Sequence, residues 1–111
     1  MALLEKSAAS PSPMPDTATA FGPATLSNLG PGFDALGLCI TGLGDRVTAT
    51  RTDTPGVTVD APGLPADPED NTAGRAALWV LREVGASGGL ALSIEKGIPL
   101  GSGLGGSGAS A

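Results

Sequence analysis

Between Gly101 and Ala111 five glycines and three serines fall within eleven positions, "GSGLGGSGASA". Glycine loses more backbone freedom on folding than any other residue. Ordering such a run is therefore unfavourable unless the backbone must turn left-handed or come very close to something. Two outcomes are open to it: a solvated Gly/Ser tail, or a loop shaped around a ligand. Leu104 in mid-run and the alternating apolar stretch before it, "LALSIEKGI" (90–98), argue against a plain linker. Pro99 ends that strand, and the small residues "SGASA" after Gly106 tolerate a helix. A strand-to-helix corner of this kind aims backbone N–H groups at one spot and favours an anion such as phosphate there.

The remaining segments predict a single α+β domain. "ATAFGPATLS" (18–27) reads as a strand with an irregular middle at Gly22-Pro23, and "NLGPGF" (28–33) as a turn. "DALGLCITGLG" (34–44) is apolar and suits a buried strand, with Cys39 a small buried hydrophobe. "DRVTATRT" (45–52) alternates, with Val47 and Ala49 on the inner side. Thr54-Pro55-Gly56 reads as a hairpin turn into "GVTVDA" (56–61), and 62–70 as a polar loop. "NTAGRAALWVLREVG" (71–85) is the one clear helix. Its inner stripe is Ala73, Ala76, Ala77, Val80, Leu81 and Val84, with Asn71 or Thr72 as its cap and Arg75 and Arg82 on a solvated face. The order is four strands, a helix, a strand and the loop.

Composition removes several classes of chemistry. The chain has no histidine and one cysteine, so it can form no intrachain disulfide, Ser-His or Cys-His nucleophile pair, and a zinc site is implausible. A net charge of -5 argues against a nucleic-acid partner. No apolar run approaches the roughly 20 residues of a membrane span. Residues 1–18 are rich in Ser, Ala and Pro. Glu5 and Lys6 interrupt the only apolar start, so the expectation is a disordered tail rather than a signal peptide, on a cytoplasmic protein.

"GSGLGG" (101–106) also matches G-x-G-x-x-G, a weak motif alone. No lysine follows Gly106, which rules out a Walker A loop, and only five residues remain, too few for a Rossmann unit. A protein-kinase glycine loop needs a following strand and lysine, and neither appears. The residues fit better elsewhere. "IPLGSGLGGSGASA" resembles the phosphate loop of the GHMP small-molecule kinases, P-x-x-x-G-L-G-S-S-A-A, with Pro99, Gly103, Leu104, Gly105, Ser107 and Ala109 on the pattern. Gly106 stands where the first serine is usual and Gly108 where an alanine is. "PATLSNLGPGFDALGLCI" (23–40) is similar to the N-terminal signature of the homoserine kinase branch, and "GDRVTA" and "PEDNTAGRA" also have counterparts there.

The resemblance covers residues 19–111 and implies an N-terminal GHMP kinase domain, incomplete at the phosphate loop. It implies ATP and Mg²⁺ as cofactors and L-homoserine as substrate, phosphorylated on its side-chain hydroxyl on the route to threonine. It is compatible with a homodimer. It assigns ATP to Asn71, Pro99, Leu100, Gly101, Ser102, Gly103, Leu104, Gly105, Gly106, Ser107 and Gly108, with Ser107 also reaching the metal. It assigns the amino acid to Asn28 and Asp34, and no residue to catalysis. Both residue types also suit turn capping, and Asn71 also suits the helix cap. Kinases of this type are two to three times longer. The expectation is therefore a piece of a longer enzyme, inactive alone, whose metal-binding acid and carboxylate-binding arginines lie elsewhere. The alternatives are a non-catalytic nucleotide-binding module and another GHMP small-molecule kinase.

Overall fold

The computed structural model describes residues 15–111; most of the predicted tail lies outside the described residues. Four strands form one sheet in the order β1-β2-β4-β3: β1 (Thr17–Leu29), β2 (Gly32–Thr52), β3 (Gly56–Asp60) and β4 (Gly89–Glu95). Helix α1 (Thr72–Glu83) crosses between β3 and β4, and a single turn, α2 (Gly106–Ser110), follows the glycine loop. The mixed α+β class is as expected.

Residues 34–44 and 45–52 are one strand, not two. β1 and β2 form a long antiparallel ribbon turning at Gly30-Pro31, with a break in register. Pro23 faces Gly44, but Thr25 faces Cys39, so residues 40–43 stand out of the ladder, helped by Gly42 at φ 78. Beyond the break, among the described residues, no third strand pairs with the ribbon. Phe33, Leu36, Leu38 and Cys39 are consequently exposed rather than buried.

The turn at Thr54–Gly56 does not make a β2–β3 hairpin. β4 inserts between the two strands, antiparallel to β2 and parallel to β3. Two glycines explain the outcome. A Cβ on Gly89 would sit 2.2 Å from the carbonyl oxygens of Thr54 and Gly56, and one on Gly88 would sit 2.6 Å from that of Thr52. Only bare backbone enters the gap there. Once inside, the apolar alternation of β4 places Leu92 and Ile94 at the centre of the sheet.

The core is aliphatic, as the near absence of aromatics requires. Val57, Ala61, Ala73, Leu92 and Ile94 are buried, with Val47, Ala49, Ala77, Leu78 and Leu81 packed around them. Asn71 caps α1, its Oδ1 accepting from the N–H groups of Ala73 (3.0 Å) and Gly74 (3.2 Å). The predicted stripe holds for Ala73, Ala77 and Leu81, but Val80 and Val84 are exposed and Leu78 turns inward instead. Among the described residues no helix is long and apolar enough to cross a membrane.

Candidate phosphate-binding site

Where β4 ends, the chain turns at Pro99, with the Ser102 N–H bonded to the Pro99 carbonyl at 3.3 Å, and enters the glycine loop. Gly101, Gly103 and Gly105 have φ of 69, 73 and 73, the left-handed region that a side chain disfavours. No atom lies within 4 Å of a Cβ built on Gly101 or Gly103, so the loop presents bare backbone to open space.

The far end of the loop is held against β1. The Thr25 N–H donates to the Leu104 carbonyl at 2.9 Å, and a Cβ on Gly105 would come within 2.3 Å of Thr25 Oγ1. α2 then begins. Five residues do not form a helix in isolation; this turn exists because it is tied down. The Thr72 hydroxyl donates to the Ser107 carbonyl at 3.2 Å, and α2 lies against β1 at Gly22. The first-turn N–H groups of Gly106, Ser107 and Gly108 have no carbonyl one turn earlier within the helix.

These elements wall a cavity of about 450 Å³. Every predicted ATP-site residue from Pro99 to Gly108 lines it, joined by Leu64, Asn71, Thr72 and Lys96. The Asn71 side chain is largely engaged: Oδ1 serves the helix cap and Nδ2 donates to the Pro65 carbonyl at 3.2 Å, leaving one amide hydrogen. Ser107 is exposed at the start of α2. Among the described residues no group of three or more His, Cys, Asp or Glu could hold a metal by itself. Oxygen groups on this wall that could join a ligand's own oxygens around a metal include the Ser107 and Ser102 hydroxyls and the Asp70 carboxylate.

Asn28 and Asp34 are not part of this wall. They sit at the tip of the β1–β2 ribbon, both left-handed, at φ 58 and 60. Asn28 Oδ1 accepts from the Asp34 N–H at 2.7 Å, so the predicted turn cap is present. The Asp34 side chain is exposed, and its carboxylate remains available to a ligand.

Sequence reading missed a buried charge cluster behind the loop. Asp45 is fully buried, its carboxylate ion-paired with Lys96. Its Oδ1 accepts from the Gly97 and Ile98 N–H groups, each at 3.0 Å, and its Oδ2 from the Ser110 hydroxyl at 2.8 Å. Burial alone would push the Asp45 carboxyl up. Hydrogen bonds from Lys96, the Ile98 N–H and Ser110, with the charge of Lys96, outweigh it and hold the group below its ordinary value of 3.8. The only available signal was the "GDRVTA" segment, which does not point to a partner 51 positions away.

The cluster also bears on Gly106. A Cβ there would lie 3.1 Å from Lys96 Nζ and 3.5 Å from Ile98 Cγ2, so the glycine gives the ammonium room. Gly108 has no such neighbour within 4 Å, and nothing in the structure explains the absence of an alanine there.

Residues 71–111 match the N-terminal domain of the GHMP kinases. A homoserine kinase of Thermoplasma acidophilum is 47% identical over 93 residues, covering 84% of this chain and 29% of that protein. One from Xylella fastidiosa strain 9a5c is 43% identical over 111 residues, covering 96% of this chain and 34% of that protein. The crystal structure of a homoserine kinase from Cytophaga hutchinsonii aligns with a TM-score of 0.83 at 37% identity, over 91% of this chain and 34% of that one. The chain spans about a third of the length of the curated relatives it matches.

Proposed function

We propose, from the premise that this chain belongs to the GHMP kinases as an N-terminal portion, that the whole protein transfers a phosphoryl group from ATP to the side-chain hydroxyl of L-homoserine. The observation that carries the reading is the built cradle: three left-handed glycines and the first turn of α2, fastened to β1, around one cavity. The backbone of Gly103–Gly108 would hold the phosphate oxygens, and the Ser107 hydroxyl would be a ligand to the metal. Thr72 holds the turn by its bond to the Ser107 carbonyl. ATP with Mg²⁺ supplies the γ-phosphoryl group, and transfer to the homoserine oxygen releases ADP and the hydroxyl proton. Such transfer depends mainly on positioning and charge neutralisation, so the lack of histidine is no obstacle.

Asp34 is the proposed partner of the substrate ammonium. Its carboxylate is exposed at a ribbon tip whose shape Asn28 holds. Release of ADP by the whole protein, compared across L-homoserine, mevalonate and galactose, tests the reaction. Homoserine should be clearly preferred. Absent or equal turnover with homoserine would favour another GHMP kinase or a non-catalytic module.

Asp34→Asn isolates the charge, because asparagine also tolerates the left-handed backbone. Losing a charge-assisted bond of roughly 1.5–3 kcal/mol should raise the KM for homoserine about ten- to a hundredfold. The KM for ATP should hardly move. An unchanged homoserine KM would leave Asp34 a turn residue only.

A further inference from the structure

One carboxylate reaches both ends of the glycine loop. Asp45 Oδ1 accepts from Gly97 and Ile98, the two residues that lead β4 into Pro99. Its Oδ2 accepts from Ser110 in α2, where the loop ends, and is ion-paired with Lys96. Lys96 completes the tie. Its Nζ donates to the Gly106 carbonyl and to Ser110 Oγ, each at 3.0 Å. All three ammonium hydrogens therefore have protein partners. Lys96 lines the cavity, yet its charge is turned toward Asp45 and α2. Close packing holds the entry as well, since a Cβ on Gly97 would lie 2.0 Å from the Gly44 carbonyl. Between these two ends the loop backbone is bonded to the rest of the protein at three carbonyls: Leu104 to the Thr25 N–H, Gly106 to Lys96 and Ser107 to the Thr72 hydroxyl.

We infer that Asp45 is a positioning residue for the phosphate loop, acting through Lys96 and Ser110 to fix the first turn of α2 against the end of β4. The inference rests on the reading of the loop as a phosphate cradle, but its first test does not. Lys96 is then a strut of the loop and not itself an anion ligand. The role differs from general core support because the cluster joins only β2, the exit of β4 and α2. The aliphatic core under α1 is made by other residues.

Amide hydrogen exchange of the whole protein without nucleotide reads the effect directly. Ser110→Ala removes the hydroxyl's two bonds, the one it donates to Asp45 and the one it accepts from Lys96, and leaves the Asp45–Lys96 pair. It should speed exchange across residues 103–110 about tenfold, with β3, β4 and α1 unchanged. Asp45→Asn should speed it further and extend it to Gly97 and Ile98. In the whole protein Ser110→Ala should raise the KM for ATP severalfold and leave that for homoserine as it was. Unchanged exchange in the loop, or a rise shared equally by the core, would overturn the inference, as would equal rises in the two KM values. If Asp45→Asn does not fold, Ser110→Ala decides. If the loop responds but no kinase activity exists, the positioning role stands and the assigned reaction falls.

Discussion

Lys96→Met should cost this chain about 3–5 kcal/mol of stability, the usual effect of removing one partner of a buried ion pair. Asp45 has no solvent-accessible surface, so its charge cannot be recovered by water without opening the structure. The Gly97, Ile98 and Ser110 donors remain, but none carries a positive charge. Single domains are stable by only about 5–15 kcal/mol, so a large share of the total would go. Urea unfolding gives the number. Adding Asp45→Asn to Lys96→Met should restore part of the loss, because the double variant buries no charge. A single variant as stable as the parent, or a double variant worse than the single, would show that the pair is not the anchor described.

The same cluster sets a pH dependence. Asp45 titrates below its unfolded value in the folded chain, so the unfolded state binds its proton first as pH falls. Its contribution is fully present above about 3.8 and is lost as pH drops through the lowered native value.

Gly22→Ala should also act strongly, and by a different route. The added Cβ would lie 2.2 Å from the Ala109 carbonyl oxygen and 2.9 Å from its carbonyl carbon and Cα. All three atoms are backbone, so no side chain can rotate away; α2 itself must shift. Gly22 also pairs with Asp45 across β1 and β2, so the strain falls on the carboxylate that holds the loop. Overpacking of this kind costs about 1–3 kcal/mol. In the whole protein the KM for ATP should rise with little change for homoserine. Gly108→Ala is the control. Its Cβ meets nothing within 4 Å, and alanine suits a helix better than glycine, so stability should hold or rise slightly. Equal effects at the two positions would contradict the packing described.

Much of this was legible beforehand, where the cause was local. Asn71 and the spacing of Ala73, Ala77 and Leu81 marked α1, and Pro99 with its glycines marked a strand-to-helix corner. Errors came where distant backbone decides. The segment Thr54–Gly56 reads correctly as a turn but wrongly as a hairpin, and only the approach of Gly88 and Gly89 to carbonyls there shows that β4 takes the place beside β2. The apolar run 34–44 reads as buried because pattern cannot report that, among the described residues, nothing covers the ribbon over Phe33–Cys39. Asp45 and Lys96 each look like ordinary strand-end charges. Their meeting depends on the register of β2 against β4, in which Arg46 faces Glu95. α2 is too short for propensity to favour; Thr72, Lys96 and Asp45 hold it.

The most direct test of the central claim is the footprint of ATP on the backbone. Exchange of the amides of the whole protein, measured with and without ATP and Mg²⁺, should show protection at Gly103–Gly108. The exposed ribbon tip at Asn28–Asp34 should stay unprotected until L-homoserine is added. Protection elsewhere with none in the glycine loop would contradict the claim that this loop is the phosphate cradle.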